Sequence, residues 1–452
     1  MYEDILFLAK KSGSQSITNQ IRSDMKGIDH HNHYHILYDI RSLLGSDRKN
    51  YLQIGSVCGA PICTLLKHAS PTTIHCIRSN EKIPGCYEKD LEDNIEMYND
   101  DNDVVVHHND AVEYLLRNNL GFDIVYVRNS EENISATFDK YMGFVNEGGY
   151  IIFDNYNNNK YPHVKPGVDH LVSMMAQNRY PGFYDVIGDM PLLLENGQRS
   201  HQRSHCFVIK KKSIARQLKL AVIVGTYRRS SGNSKVYLER MMSMLNQQSY
   251  QNFHLFLMGD DYDNAEEFDQ IASLFPVDRL HKENVQPARE RTRCKIKKNL
   301  WSIGGANTFN VGLRRAIEQG YTHCVHLDDD DIWYIHHLLN IATTYLQYPA
   351  VSAVWTKGVG FKDVLPKTPT FEPNNFLSVG KDAYHSTLSF RLDRIDQEYT
   401  TLGDDEEENG RLFGPADADF INRIGNKARA GEISVISVPM ISCFHDTEFT
   451  MA

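Results

Sequence analysis

The chain has 452 residues, with 48 Lys and Arg against 58 Asp and Glu and a formal net charge of -10. That balance excludes a general nucleic-acid binder, which needs a basic surface to displace the counterions of the phosphate backbone. The length exceeds what one hydrophobic core usually serves, so on the order of two or three domains are expected. No apolar run approaches the roughly 20 residues that span a bilayer, and Met1 to Lys11 lacks the build of a signal peptide. The 8 cysteines show no Cys-x-x-Cys pairing, so free thiols in a reducing, cytoplasmic compartment are expected.

In chain order, the first feature is Asp29-His30-His31-Asn32-His33-Tyr34-His35. His31 and His35 would share a helical face, but no cysteine stands near in sequence and Asp29 alone does not complete a tetrahedral set, so no metal site is expected there. From Tyr51 onward, short apolar strands alternate with helical stretches: Tyr51 to Gly55, Thr73 to Ile77, Val104 to Val106, Phe122 to Val127 and Gly149 to Phe153. Such alternation predicts an α/β fold with a doubly wound parallel sheet. Gly55-Ser56-Val57-Cys58-Gly59, directly after the first strand, is a glycine-punctuated turn suited to close backbone approach. The tract Asn155-Tyr156-Asn157-Asn158-Asn159 reads as a loop, and its composition fits an A/T-rich genome such as those of giant viruses.

Gly55 and Gly59, Asn109-Asp110-Ala111, Phe122 to Val127 and Gly148 to Asn155 together resemble the Rossmann-like sugar O-methyltransferases of the macrocin type, over roughly residues 30 to 210. The resemblance implies a cofactor site for S-adenosylmethionine built from Gly55, Gly59, residue 78, Asp110 and residue 128. Two departures bear on it. The second strand, which in the family ends in an acid gripping the ribose hydroxyls, here ends Ile77-Arg78-Ser79, and the fourth ends Val127-Arg128-Asn129. A guanidinium carries only donors and cannot accept from those hydroxyls, although it suits phosphate or carboxylate. An active methyltransferase, a relic pocket for an anion, and a scaffold without ligand all stay open, and cofactor binding in the family's manner is not expected.

The polar stretch Lys210 to Gln217 sets the boundary, giving domains 1–212 and 213–452. Beyond it, Leu220 to Tyr227 reads as a strand ending in a tight turn, followed by a helix with Leu238, Met241, Met242 and Leu245 on one face. A second strand, Phe253 to Met258, ends in Gly259-Asp260-Asp261. The basic stretch Arg289 to Lys298 reads as a loop, either solvated or lying over a diphosphate. Gly304 to Asn310 opens a helix with Phe309, Leu313, Ala316 and Ile317 on its apolar side, and this helix runs into the strand Tyr321 to Leu327. That strand ends in Asp328-Asp329-Asp330-Asp331. Four adjacent carboxylates after a buried strand serve no packing purpose and call for a cation. In an extended segment, Asp328 and Asp330 would point the same way toward a hard divalent ion and a diphosphate, while a solvated helix start is the alternative. The acidic run between Leu402 and Arg411 reads as a surface loop. Asp417 and Asp419 open an apolar helix, and His445 follows a strand-like run, Ile433 to Ile441.

Thr226-Tyr227, Gln247-Gln248-Ser249-Tyr250-Gln251-Asn252, Asp260-Asp261, Gly304 to Asn310 and Asp328 to Asp331 together resemble the family-two glycosyltransferases of the GT-A fold, over about half the chain. The resemblance implies a second doubly wound α/β domain that transfers a sugar from a UDP-type nucleotide-sugar to a glycan or protein hydroxyl, with Mn2+ or Mg2+. It implies that Thr226, Tyr227, Asp260, Asp261, Gly305 and Asn307 line the donor site, and that Asp328 and Asp330 address ribose, diphosphate and metal. His445 would close the metal site, and Asp417 would be the base that takes the acceptor proton in an inverting transfer. Ala416 stands where the family carries Glu, and an N-terminal cap is the alternative role of Asp417. A bifunctional transferase that also methylates, and a sugar-nucleotide-binding scaffold without turnover, are the competing readings of the whole chain.

Overall fold

The structure is a computed structural model that describes residues 14–25, 34–56, 58–78, 89–99, 102–108, 111–128, 134–177, 180, 182–193, 199–229, 232–260, 262, 264–287, 290, 304–360, 364–365, 384–395, 398–401 and 416–445, with the side chains of 191–204 and 364–365 excepted. The chain divides into two compact units, Met1–Val112 with Gly121–Ile214, and Glu113–Leu120 with Ala215–Ala452.

The first unit contains α1 (Ser14–Asp24), α2 (His35–Leu43), β1 (Lys49–Ser56), α3 (Ala60–Leu66), β2 (Thr72–Arg78), α4 (Asp90–Tyr98) and β3 (Val104–His107). The short helix α5 (Val112–Arg117) lies at the division, and β4 (Phe122–Val127), α6 (Ile134–Tyr141), β5 (Val145–Phe153), α7 (Val164–Ala176), β6 (Tyr184–Leu193) and β7 (Arg199–Lys211) follow. The sheet runs β3-β2-β1-β4-β5-β7-β6, parallel through β5 and antiparallel at β7 and β6. Its core gathers Tyr51, Ile74, Ile124 and Ile152 from the strands with Ile36, Leu65 and Leu91 from the helices.

The second unit contains β8 (Leu220–Thr226), α8 (Ser234–Asn246), β9 (Phe253–Asp260), α9 (Ala265–Ala272), β10 (Leu280–Val285), α10 (Ala306–Glu318), β11 (His323–Asp328) and β12 (Ile332–Trp333). It continues with α11 (His337–Gln347), β13 (Ala353–Val359), β14 (Val364–Leu365), β15 (Leu388–Arg391), α12 (Ala416–Arg429) and β16 (Val435–Phe444). The sheet order is β10-β9-β8-β11-β15-β13-β16-β12, with β14 beside β13. The molecule is thus α/β with two doubly wound sheets. β8, β9 and β11 are buried along nearly their whole length, the pattern of parallel strands covered on both faces. Helix α10 lies against β8 and β9, and Gly312 lets it come close: a Cβ there would stand 2.7 Å from Ile223 Cγ2 and 3.0 Å from Met258 Cγ.

Two expectations are corrected here. Ile317 is 54% exposed and leaves Phe309, Leu313 and Ala316 to form the buried side of α10, because position 317 falls at the edge of the stripe that those residues define. Cys58 is disulfide-bonded; Cys63, Cys76, Cys206, Cys324 and Cys443 are free and buried. A disulfide needs two sulfurs brought together by the fold, which sequence spacing does not report.

Candidate functional site

Between β8 and β11 the strand order reverses direction, and the carboxyl ends of these two strands sit side by side, with Asp328 opposite Gly225. Open α/β sheets hold ligands at such a switch point. The four aspartates are not extended, as the alternating reading supposed. The strand ends at Asp328, and the Asp331 amide donates to the Asp328 carbonyl at 3.2 Å, which closes a turn. The turn distributes the four carboxylates over three cationic side chains.

Asp328 Oδ1 accepts from His385 Nδ1 at 2.8 Å, and Ser386 Oγ lies 3.3 Å from Oδ2. Asp329 takes both arms of Arg229, at 2.8 and 2.6 Å, together with the Thr226 hydroxyl at 2.7 Å. Asp330 lies 3.3 Å from Arg229, and its carbonyl accepts from Arg240. Asp331 Oδ1 accepts from His445 Nδ1 at 2.8 Å. Much of the cation that the four acids require is therefore protein: one arginine and two histidines.

The compensation is incomplete. Burial, then the charges of Asp331, Asp329 and Asp328, push the Asp330 carboxyl up to about 8 in spite of Arg229. Asp331 Oδ2 is buried with no hydrogen-bond partner. Burial works against a charged His445, yet its bond to Asp331 raises it to about 9, so it stands as an imidazolium. Burial alone would raise Asp328, and the His385 charge beside it wins and holds it low. His385 is raised in turn by Asp328, with Asp417 adding to the effect, against the pull of burial.

Among the described residues, no three His, Cys, Asp or Glu side chains are grouped to hold a metal alone. An ion that arrives with a diphosphate needs only about one or two protein carboxylates, the phosphates and water completing its shell. A crowded, protonation-prone Asp330 and an unpartnered buried oxygen on Asp331 fit such an ion.

The other expected residues fall as follows. Thr226 is buried, and its hydroxyl, having one proton to give, donates to Asp329 while accepting from Tyr262 at 3.0 Å. The Tyr227 ring lies 4.6 Å from the Arg229 guanidinium. Asp260, at the end of β9, is buried and accepts from Thr308 Oγ1 at 3.1 Å. Gly305, with φ of +80°, precedes α10, and the Asn307 amide donates to Glu290 at 3.2 Å. His445 also stacks on Tyr384 at 4.9 Å. Asp417 lies half-buried in the first turn of α12, where Oδ1 accepts from the Ala418 amide at 2.8 Å. Asp419, by contrast, is tied down by Thr400 at 2.8 Å and Arg423 at 2.9 Å. Asp261 and Asp110, the acidic run 402–411, His30, His31 and His33, and the basic stretch 289–298 apart from Glu290 lie outside the described residues.

In the first unit, Gly55 has φ of +84°, and a Cβ there would stand 1.9 Å from the Arg128 carbonyl oxygen. That glycine admits its own neighbouring strand end. Gly59, with φ of +83°, precedes α3. Arg78 is bound to Glu92 at 2.8 Å, and Arg128, 7% exposed, stands 3.9 Å from the buried Asp154.

Sequence reasoning missed Arg229, His385 and Tyr399. Arg229 had a signal, a cation in the turn after Thr226-Tyr227 on the strand next to an acid box. His385 and Tyr399 had none, since the topology alone brings them to β11.

The acidic turn of this α/β fold lies at the switch point where open sheets hold ligands, and the comparisons bear on what kind of protein it belongs to. No protein-family model matches the sequence. An uncharacterized glycosyltransferase of Acanthamoeba polyphaga mimivirus is 33% identical over 245 residues, 51% of this chain and 95% of that protein. The chain belongs to the same family and is a glycosyltransferase. Among solved structures, S. aureus TarS (residues 1–349) aligns with 16% identity and a TM-score of 0.35 over 50% of this chain, which spans 60% of that one. An O-methyltransferase described as putative, from Klebsiella pneumoniae, aligns with 13% identity and a TM-score of 0.31 over 45% of this chain and 90% of its own.

Proposed function

We propose that the second unit, as a GT-A domain of residues 213–452, moves a sugar from a UDP-type donor to a hydroxyl of a glycan or protein, with inversion. The observation that carries this reading is the acidic turn at the switch point, where Asp330 is crowded by like charge and one buried Asp331 oxygen has no hydrogen bond, in a chain of glycosyltransferase family. Asp328 and Asp330 would hold Mn2+ or Mg2+ together with the donor diphosphate, and the ion would neutralise charge on the leaving nucleotide. His445 faces Asp331 as an imidazolium, so in this reading it contributes charge and fixes the turn. It would have to surrender its proton to ligate a metal.

Asp417 would accept the proton of the acceptor hydroxyl as the new glycosidic bond forms and the bond to the diphosphate breaks. Among the described residues its carboxylate accepts one hydrogen bond, from the Ala418 amide, and this leaves lone pairs for a substrate.

The experiment is a thermal-shift series with UDP, with and without Mn2+. A ligand at about a hundred times its dissociation constant adds roughly 2.7 kcal/mol. Stabilisation by UDP that needs Mn2+ and disappears in Asp330→Ala is expected. Equal stabilisation by UDP without metal, in both proteins, would remove the metal assignment.

For the first unit, a methyltransferase-like domain of residues 1–212 that does not hold S-adenosylmethionine is favoured, because Arg78 and its partner Glu92 stand at the strand end where the family places a ribose-binding acid.

A further inference from the structure

Behind Asp328 lies a buried cluster that the donor site alone does not explain. The Nδ1 of His385 meets the Asp328 carboxylate at 2.8 Å. Its Nε2 meets the Tyr399 hydroxyl and lies 3.1 Å from His326 Nδ1, and the Tyr399 hydroxyl in turn reaches His326 Nδ1 at 2.5 Å. All three side chains are buried. Polar groups in such a place carry a large desolvation cost, and packing did not demand them.

The cluster is clamped from two further elements. Asn310 of α10 grips the Tyr399 backbone twice, accepting from its amide at 2.6 Å and donating to its carbonyl at 2.9 Å. Phe420 of α12 stacks on the Tyr399 ring at 4.3 Å, with 9° between planes. Phe420 lies three residues after Asp417, so the two share one turn of the same helix. A continuous set of contacts therefore runs from the Asp328 carboxylate through His385 and Tyr399 to the helix that carries Asp417.

We propose that His385 and Tyr399 are positioning residues of the transfer site, fixing the Asp328 carboxylate and holding it in register with the base-bearing helix α12. This rests on the donor-site reading of Asp328 and Asp417. Neither residue touches the reacting atoms, and both act through Asp328 and α12.

The test uses the full chain and three variants. His385→Asn places an amide donor where Nδ1 stands and keeps the hold on Asp328. His385→Leu removes that hold. Crystal structures should show the Asp328 carboxylate in place in the first variant and rotated in the second. Calorimetry with UDP and Mn2+ should show affinity nearly intact for the first variant and about 10- to 100-fold weaker for the second, the range found when a partner supporting a metal-site ligand is lost.

An unmoved carboxylate with unchanged affinity in a folded His385→Leu protein overturns the proposal. Should that protein fail to fold, Tyr399→Phe decides instead, because it deletes one hydroxyl and keeps the stack on Phe420. A loss of UDP affinity of about threefold or more supports the proposal, and no loss overturns it. If the unaltered protein binds no UDP, the donor reading fails, and the crystal structures still decide whether His385 orients Asp328.

Discussion

Arg229 and Asp329 offer the sharpest energetic test of the acidic turn. The pair makes two charge-assisted hydrogen bonds, at 2.8 and 2.6 Å, with side chains only 10% and 5% exposed. Arg229→Met would leave Asp329 charged, buried and paired only with the Thr226 hydroxyl. Breaking a buried pair from one side costs about 3–5 kcal/mol, and the surviving Thr226 bond places the expectation near 3 kcal/mol. Adding Asp329→Asn should restore most of that loss, because the amide oxygen still accepts from Thr226 and position 329 no longer carries a charge; the double variant should lie within about 1 kcal/mol of the parent. Trp333 and Trp355 are buried in the second unit, so their fluorescence during urea unfolding follows the unit that carries the change. A single variant that loses less than about 1 kcal/mol, or a double variant as unstable as the single, would refute the view that Arg229 serves as the resident counter-ion of this turn.

Asp417→Asn should leave UDP affinity nearly intact and lower turnover about 100- to 10,000-fold, whereas Asp419→Asn should mainly cost stability through Thr400 and Arg423; equal kinetic losses in both would make Asp417 a helix cap. The Lys211 ammonium is buried, which pulls its pKa from 10.5 to about 8 against the charge of Glu147. The folded unit then binds fewer protons than the unfolded chain between those values, so stability rises with pH from about 8 to 10.5 and the gain is absent below. Lys211→Met should remove a gain of up to about 3 kcal/mol across that window, read as the difference between the two proteins in urea unfolding followed by circular dichroism. Titration calorimetry of the full chain with S-adenosylmethionine should detect no low-micromolar binding, since an unmatched ribose contact of about 1–3 kcal/mol moves micromolar affinity toward millimolar; a low-micromolar constant would revive the bifunctional reading.

The strands of both sheets were legible because a parallel strand covered on both faces leaves a short, unbroken apolar run, as in Leu220 to Val224 and Ile124 to Val127. The acidic turn was legible from its charge density alone. Its geometry was not: alternation along an extended chain was assumed, and a hydrogen bond between Asp331 and Asp328 folds the segment back. The compensating cations were hidden for a different reason. Arg229 lies 100 residues from Asp329, His385 57 from Asp328, and His445 114 from Asp331, so neither periodicity nor local spacing links them. His445 was singled out by its place after a strand-like run, and the pairing with Asp331 that the structure gives it had no signal in the sequence.

The two sheets share an opening order, β3-β2-β1-β4 in one and β10-β9-β8-β11 in the other. At the same corner of each, a glycine near the end of the central strand adjoins the close of the strand beside it. In the first unit that closing residue is Arg128, whose amide donates to the Ile54 carbonyl at 2.9 Å; in the second it is Asp328, opposite Gly225. One winding pattern thus closes one corner on an arginine set against a buried acid, Arg128 with Asp154 at 3.9 Å, and the other on a run of four acids. A search by backbone shape would rank the two corners as equals, and only their side chains tell them apart.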